Sequence, residues 1–242
     1  MYLIEGNIGA GKSTFLTMIA SRVPDISVSL EPLHNWQKQV YGQSLLANFF
    51  AQPQRWAYTM ETLIMMCRVK EHLIEQEKNN GVRLMERSIY SGHYCFAHNS
   101  HHNGYMSELE WSLYEQWFNF LIPDKCKAPR GFIYLYVDPE VAYKRIKKRN
   151  RLAEKKITLA YLKQIDKRHE DLLINKKNIL SELANVPVLV LDCNEEFETN
   201  LEQFEHHVHT LELFLAKTER ERLNGQKTAV IQGSTHQIEL SL

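Results

Sequence analysis

The sequence predicts an α/β fold, a five-stranded parallel sheet flanked by helices, on three observations. Five short and nearly continuous apolar runs alternate with longer segments of helical periodicity. That is the pattern of strands buried on both faces and joined by right-handed βαβ crossovers. The first run is followed at once by Gly6-Asn-Ile-Gly-Ala-Gly11-Lys12-Ser13, a complete G-x-x-x-x-G-K-[ST] phosphate loop. Finally, 242 residues suit one domain with a substantial core.

The predicted strands are Tyr2–Ile4, Ile26–Leu30, Val82–Met85, Phe132–Val137 and Val186–Leu191. Turn residues precede them: Asp25 before the second, Asn80-Gly81 before the third, Pro129-Arg-Gly131 before the fourth. Pro187 opens the fifth, where a missing N–H is tolerable. Apolar spacing after the phosphate loop predicts a helix from Thr14. Pro53 can begin a long helix over Gln54–Lys78, as an N1 proline does. Further helices are expected at Ser88–Asn99, Ser107–Ile122, Pro139–Lys148, Leu159–Leu183 and Phe197–Lys217. Residues 1–217 read as a single domain. The polar remainder, 218–242, reads as a flexible tail, with a hairpin of Thr228–Gln232 and Gln237–Leu242 as the alternative.

Composition excludes several classes. The chain has 29 basic and 29 acidic residues, so no net field draws it to nucleic acid or an anionic membrane. No apolar run approaches a membrane span. Four dispersed cysteines form no C-x-x-C and read as reduced thiols, and the first strand leaves no room for a leader, which together predict a cytoplasmic protein. His98 and His102 have i, i+4 spacing, but Asn99-Ser100 between them reads as loop, so surface histidines are expected rather than a metal site.

The chemistry begins with the loop. Gly6, Asn7, Ile8, Gly9, Ala10, Gly11, Lys12, Ser13 and Thr14 form an expected cradle for ATP. Backbone N–H groups close on phosphate oxygens at a helix N-terminus. Lys12 adds a point charge, and the Ser13 hydroxyl is suited to Mg²⁺. Strand two ends in Glu31-Pro32, and ligands of open parallel sheets sit outside the carboxyl ends of the strands. Glu31 can therefore accept the proton of an attacking hydroxyl. Strand three ends in Glu86-Arg87-Ser88, a carboxylate for Mg²⁺ and a guanidinium whose fork matches phosphate. Between Lys144 and Lys156, eight of thirteen residues are basic. This run reads as an arginine-rich lid in which Arg149 and Arg151 close over the triphosphate.

G-N-I-G-A-G-K-S, E-P with Trp36 five residues on, R-W-A-Y-T-M-E, E-R-S-I-Y-S and R-N-R-L-A-E occur in an order that resembles the deoxynucleoside kinases, over about residues 2–193. The resemblance implies a phosphate-loop NTPase-type sheet, ATP with Mg²⁺, a deoxynucleoside substrate and a homodimer. It implies that Glu31 is the general base for a 5′-hydroxyl with Arg87 beside it, that Ser13 and Glu86 attend Mg²⁺, and that Trp36 walls the base. It also implies that Glu154 reaches the sugar 3′-hydroxyl.

Three positions depart from that pattern. Glu61 stands where the family has a base-reading glutamine, Phe50 where it has a tyrosine, and Gly92 where several members have an aspartate that partners an arginine here matched by Arg68. Residues seven apart share a helix face, so Glu61 is expected to replace the missing aspartate as the partner of Arg68, while Gly92 leaves room for a thymine methyl. An ionised carboxylate only accepts hydrogen bonds, which suits guanine or cytosine. These signals together predict broad base specificity. The alternatives are a nucleoside monophosphate kinase, a non-catalytic subunit of the same fold, and, more weakly, nucleic-acid binding by the basic run.

Overall fold

The computed structural model describes residues 1–32, 44–78 and 81–235, without the side chains of residue 153 and of 225–235. Trp36 lies outside the described residues. Two compact units are present, Met1–Glu196 and Phe197–Leu242.

In the first unit β1 (Tyr2–Glu5), β2 (Ile26–Ser29), β3 (Val82–Glu86), β4 (Phe132–Tyr136) and β5 (Val188–Asp192) form one sheet in the order β2-β3-β1-β4-β5. Every pairing is parallel, with Ile4 beside Glu86 on one flank and Ile133 on the other. The apolar runs explain the placement. Tyr2, Leu3 and Ile4 on the central strand are fully buried, whereas edge strand β2 buries only Ile26. The chain leaves β1 to one side for β2 and β3, then crosses to the other for β4. This switch point opens a crevice beyond the carboxyl end of β1.

Flanking the sheet are α1 (Lys12–Arg22), α2 (Leu45–Ala51), α3 (Pro53–Glu77), α5 (Glu108–Leu121), α6 (Pro139–Arg149) and α7 (Leu159–Leu173). The composite helix α4 joins a turn at Ile89–Ser91, a π-wound stretch at Gly92–Ala97 and a turn at His98–His102. Asn99 and Ser100, expected as loop, are thus helical and buried. Its start carries a capping box between Ser88 and Ser91, and α5 carries another between Ser107 and Glu110. Pro53 opens α3, as the sequence predicts.

The helix expected over Leu159–Leu183 instead stops at Leu173 and resumes as α8 (Ser181–Ala184). Lys176 and Asn178 adopt positive φ of 51° and 50° between them, which no helix continues through.

The second unit holds α9, Leu201–Thr235. It continues past Thr218, where the sequence predicts a flexible tail, and takes in Thr228–Gln232, one arm of the alternative hairpin. Gln237–Leu242, the other arm, lies outside the described residues. Thr218 Oγ1 bonds back to the Phe214 and Leu215 carbonyls at 3.1 and 3.0 Å, and Glu219 pairs with Arg222 at 3.0 Å one turn on. Both contacts precede the Asn224-Gly225 pair, through which the helix continues. No helix among the described residues is long and apolar enough to cross a membrane.

Candidate active site

The phosphate loop folds as its glycines require. Gly6 has φ of 146°, and a Cβ there would stand 2.5 Å from the Leu135 carbonyl oxygen. At Gly9 (φ 85°) a Cβ would stand 2.8 Å from the Ala142 carbonyl oxygen. Only a residue without a side chain fits either place. Asn7 locks the loop: its Oδ1 accepts from the Ile8 N–H at 2.8 Å, and its Nδ2 donates to the Leu162 carbonyl on α7 at 2.9 Å. No side chain caps α1, so its first N–H groups are free to meet an anion. Lys12 Nζ donates to the Gly6 and Asn7 carbonyls at 3.1 and 2.8 Å. Burial pushes the ammonium down to about 7, helped by the Arg87 charge and opposed by Glu86, Glu31 and Glu5.

Beside the loop, β2 and β3 deliver the charged residues the sequence singles out. Ser13 Oγ donates to Glu86 Oε1 at 2.8 Å, and Glu86 Oε2 accepts from the Glu31 N–H at 3.3 Å. Hydroxyl and carboxylate oxygens side by side are the hard donors that Mg²⁺ takes, so these two residues fit that ion. Glu31 Oε1 meets Arg68 Nη2 at 2.5 Å, and its Oε2 lies 3.4 Å from Arg87 Nε. Burial pushes the Glu31 carboxyl up, but the two guanidiniums outweigh it and hold it below the ordinary carboxylate range. Arg87 has φ of 62°, a strained position for a side-chain-bearing residue, and its N–H donates to the Ile4 carbonyl at 2.8 Å. Its Nη1 is buried with no hydrogen-bond partner among the described residues, a donor available to a substrate oxygen.

These groups line a cleft of about 1110 Å³. Ile8, Gly9, Gly11, Lys12, Ser13 and Thr14 form one end, while Gly6, Asn7 and Ala10 are buried beneath the loop and shape it. Phe50, Glu61 and Arg68 line the cleft from α2 and α3, and Arg149, Arg151 and Glu154 line it from the end of α6 and the residues that follow. Arg149 donates to Glu154 Oε2 from Nη2 and Nε at 2.7 and 3.2 Å, and Arg151 Nη1 lies 3.5 Å from Oε1. Glu154 therefore reaches the cleft with both oxygens turned to the arginines.

Two expectations about the far end are corrected. Arg68 does not pair with Glu61: it bonds Glu31 and, through Nη1, the Ser88 carbonyl at 3.2 Å. Glu61 Oε1 accepts from Ser100 Oγ at 2.9 Å instead. Gly92 does not open room for a methyl either, because a Cβ there would stand 2.8 Å from Arg68 Nη1. The space that glycine vacates is filled by the guanidinium, which is how Arg68 reaches Glu31.

The structure adds residues that sequence reasoning missed. Phe96, on the π-wound stretch, faces both guanidiniums, its ring centroid 4.8 Å from the Arg87 Cζ and 5.9 Å from that of Arg68. Tyr161 meets Phe50 edge-on at 6.3 Å and brings a phenol to that wall. Met60 and Ile64 complete an apolar surface on α3. Aromatic and apolar residues at helical spacing carry no signal that separates them from core, so only their place in the fold identifies them.

A phosphate loop, a carboxylate held by two arginines, and further arginines lining the same cleft make a site suited to phosphoryl transfer. Comparison with known proteins agrees. The family model described as deoxynucleoside kinase matches residues 2–216. The mitochondrial deoxyguanosine kinase of Xenopus laevis is 36% identical over 220 residues, 81% of this chain and 82% of that protein. The human mitochondrial thymidine kinase 2 is 36% identical over 204 residues, 84% and 74% respectively, and human deoxycytidine kinase 31% over 236, 88% and 90%. These relatives are named for three different bases at nearly equal identity, so similarity alone selects none of them. With its phosphate loop, its Glu31–Arg87 pair and a match across nearly the whole first unit and beyond, this chain belongs to the deoxynucleoside kinase family.

Proposed function

We propose that the chain transfers the γ-phosphoryl group of ATP to the 5′-hydroxyl of a deoxynucleoside, in nucleotide salvage, with broad base specificity. The observation that carries this reading is Glu31, ionised, clasped by Arg68 and Arg87, and set beside Lys12 and Ser13 in one cleft. In the step, the 5′-oxygen bonds to Pγ, the bond from Pγ to the ADP oxygen breaks, and the hydroxyl proton goes to Glu31. A weakly basic carboxylate suffices, because such transition states need positioning and charge neutralisation more than a strong base. Lys12, Arg87, Arg149 and Arg151 stabilise the charge of the transferred group. Ser13 and Glu86 would hold Mg²⁺, which when bound neutralises phosphate charge. Glu154 couples the lid to the acceptor and supplies a grip on the sugar 3′-hydroxyl that Phe50, lacking a hydroxyl, does not. A monophosphate acceptor is disfavoured, since its phosphate would face Glu31 and an apolar wall. The four cysteines, all free, suit a cytoplasmic location.

The test is a panel of the four deoxynucleosides with ATP and Mg²⁺. More than one base is expected to be phosphorylated, with kcat/KM values within about tenfold of each other. Exclusive use of thymidine would defeat broad specificity, and no turnover of any nucleoside would defeat the kinase reading.

We also propose a homodimer formed through α5. That helix buries Trp111, Tyr114 and Phe118 on one face and yet leaves Leu109, Leu113, Trp117 and Phe120 exposed on another, Leu109 at 71% and Phe120 at 61%. A second apolar stripe at i, i+4, i+8, i+11 is what a self-complementary two-fold contact needs. Trp117→Glu is expected to yield monomers by sedimentation at micromolar concentration where the unmodified chain sediments as a dimer; a dimer of unchanged affinity would reject this face.

A further inference from the structure

Glu61 titrates where a glutamine would not, and its surroundings make that consequential. The side chain is buried, belongs to the wall of the apolar end of the cleft, and takes one hydrogen bond, from Ser100 Oγ to Oε1. Around it, α4 contributes Ser100, α5 contributes Tyr114 and α7 contributes Tyr161. Burial raises both phenols, so neither supplies charge near neutrality. Among the described residues the cation acting on Glu61 is Arg68 on its own helix, whose two Nη atoms bond Glu31 and the Ser88 carbonyl instead.

We propose that Glu61 selects the base by its protonation state, presenting a donor beside an acceptor when protonated and two acceptors when ionised. The inference rests on the kinase reading and deepens it. With Ser100 donating to Oε1, the proton belongs on Oε2, and the carboxyl then mimics an amide. Cytosine and adenine answer that arrangement, each with an amino donor next to a ring-nitrogen acceptor. Once ionised, the carboxylate matches guanine, whose N1–H and N2–H lie side by side. A ring nitrogen would then face a carboxylate oxygen lone pair to lone pair, and the desolvated acceptors would stay unpaired. Burial pushes the Glu61 carboxyl up to about 7, against the Ser100 bond and the Arg68 charge, which sets the change of state inside the neutral range. Broad specificity then follows from a mixture of two states rather than from a loose pocket.

The experiment measures kcat/KM for deoxycytidine, deoxyadenosine and deoxyguanosine from about pH 5.5 to 8.5, on the full chain and on Glu61→Gln. None of these bases titrates in that range, and ratios between substrates cancel every pH effect on the shared phosphoryl-transfer machinery. In the unmodified enzyme the deoxycytidine-to-deoxyguanosine and deoxyadenosine-to-deoxyguanosine ratios are expected to fall at least about tenfold between pH 6 and 8. In Glu61→Gln both ratios are flat. Turnover with flat ratios in the unmodified enzyme, an equal slope in the variant, or no deoxyguanosine turnover at any pH overturns the inference while the kinase reading stands. No turnover of any nucleoside overturns both.

Thermal unfolding provides an independent check. A carboxyl with a raised folded-state pKa contributes fully below its unfolded value of 4.5 and loses that contribution as pH rises through about 7. The Tm of the unmodified chain is therefore expected to fall relative to Glu61→Gln between those pH values and to level off above. A difference that does not change with pH overturns the titration.

Discussion

Glu31→Gln is expected to lower kcat by about 10²–10⁴-fold, while the dissociation constant of the nucleoside stays within about threefold, roughly 0.7 kcal/mol. The amide keeps the shape and can still accept from Arg68, but it takes no proton from the 5′-hydroxyl. Its NH₂ would also point at the Arg87 guanidinium, donor against donor, where Glu31 Oε2 lies 3.4 Å from Nε. On the reading proposed above the base is held around Glu61, whose hydrogen bond from Ser100 does not involve Glu31. Single-turnover phosphorylation reports the chemical step, and equilibrium titration reports binding. Turnover within a few-fold of the unmodified enzyme would remove Glu31 from proton acceptance and leave it as a clamp for the two arginines.

The parts of this site that the sequence makes legible are those coded locally. Gly6 through Ser13 specify a loop whose conformation depends on its own glycines, and Glu31 and Glu86-Arg87 declare themselves by following apolar runs. The five strands and their parallel pairing follow from the same runs and their alternation with helices, while the strand order does not. What stays hidden is the partner of a charge. Glu61 lies one helix face from Arg68 and is the obvious partner along the chain, yet Arg68 pairs with Glu31, 37 residues away. That choice depends on the vacancy at Gly92, on a different helix, and on the cost of leaving Glu31 buried and unpaired. The break after Leu173 is hidden for a related reason: Lys176 and Asn178 have ordinary propensities, and their positive φ values come from the way the Asn175 and Lys177 N–H groups close on Glu170 and Asp171. Pairing and backbone strain are set by tertiary context, and periodicity does not report them.

The arrangement has a functional side. Arg68, Glu31 and Arg87 make a line of buried charge beside the phosphate loop, supplied by α3, the end of β2 and the end of β3. Arg68 is held at both its Nη atoms, so it fixes Glu31 from the base side while Arg87 fixes it from the phosphate side. On the reading proposed above, the 5′-hydroxyl of a bound nucleoside then meets a carboxylate that is already ionised and oriented.

Arg87→Lys tests the phosphate side of that line and is expected to lower kcat by about 10²–10³-fold. Charge is preserved, but the fork is not. Arg87 uses Nε toward Glu31 and holds Nη1 in reserve, buried and without a hydrogen-bond partner among the described residues, whereas an ammonium is a single point that serves one direction or the other. If it turns to Glu31, the transferred group loses a donor; if it turns to phosphate, Glu31 loses half its clasp. Either outcome falls on the transition state more than on the bound nucleoside, so KM for the nucleoside is expected to move by less than about fivefold. The ring of Phe96, 4.8 Å from the Arg87 Cζ, also loses a flat cation to stack on. A lysine variant with kcat within threefold of the unmodified enzyme would mean that charge alone is required at this position, and that the unpaired Nη1 has no part in the transfer.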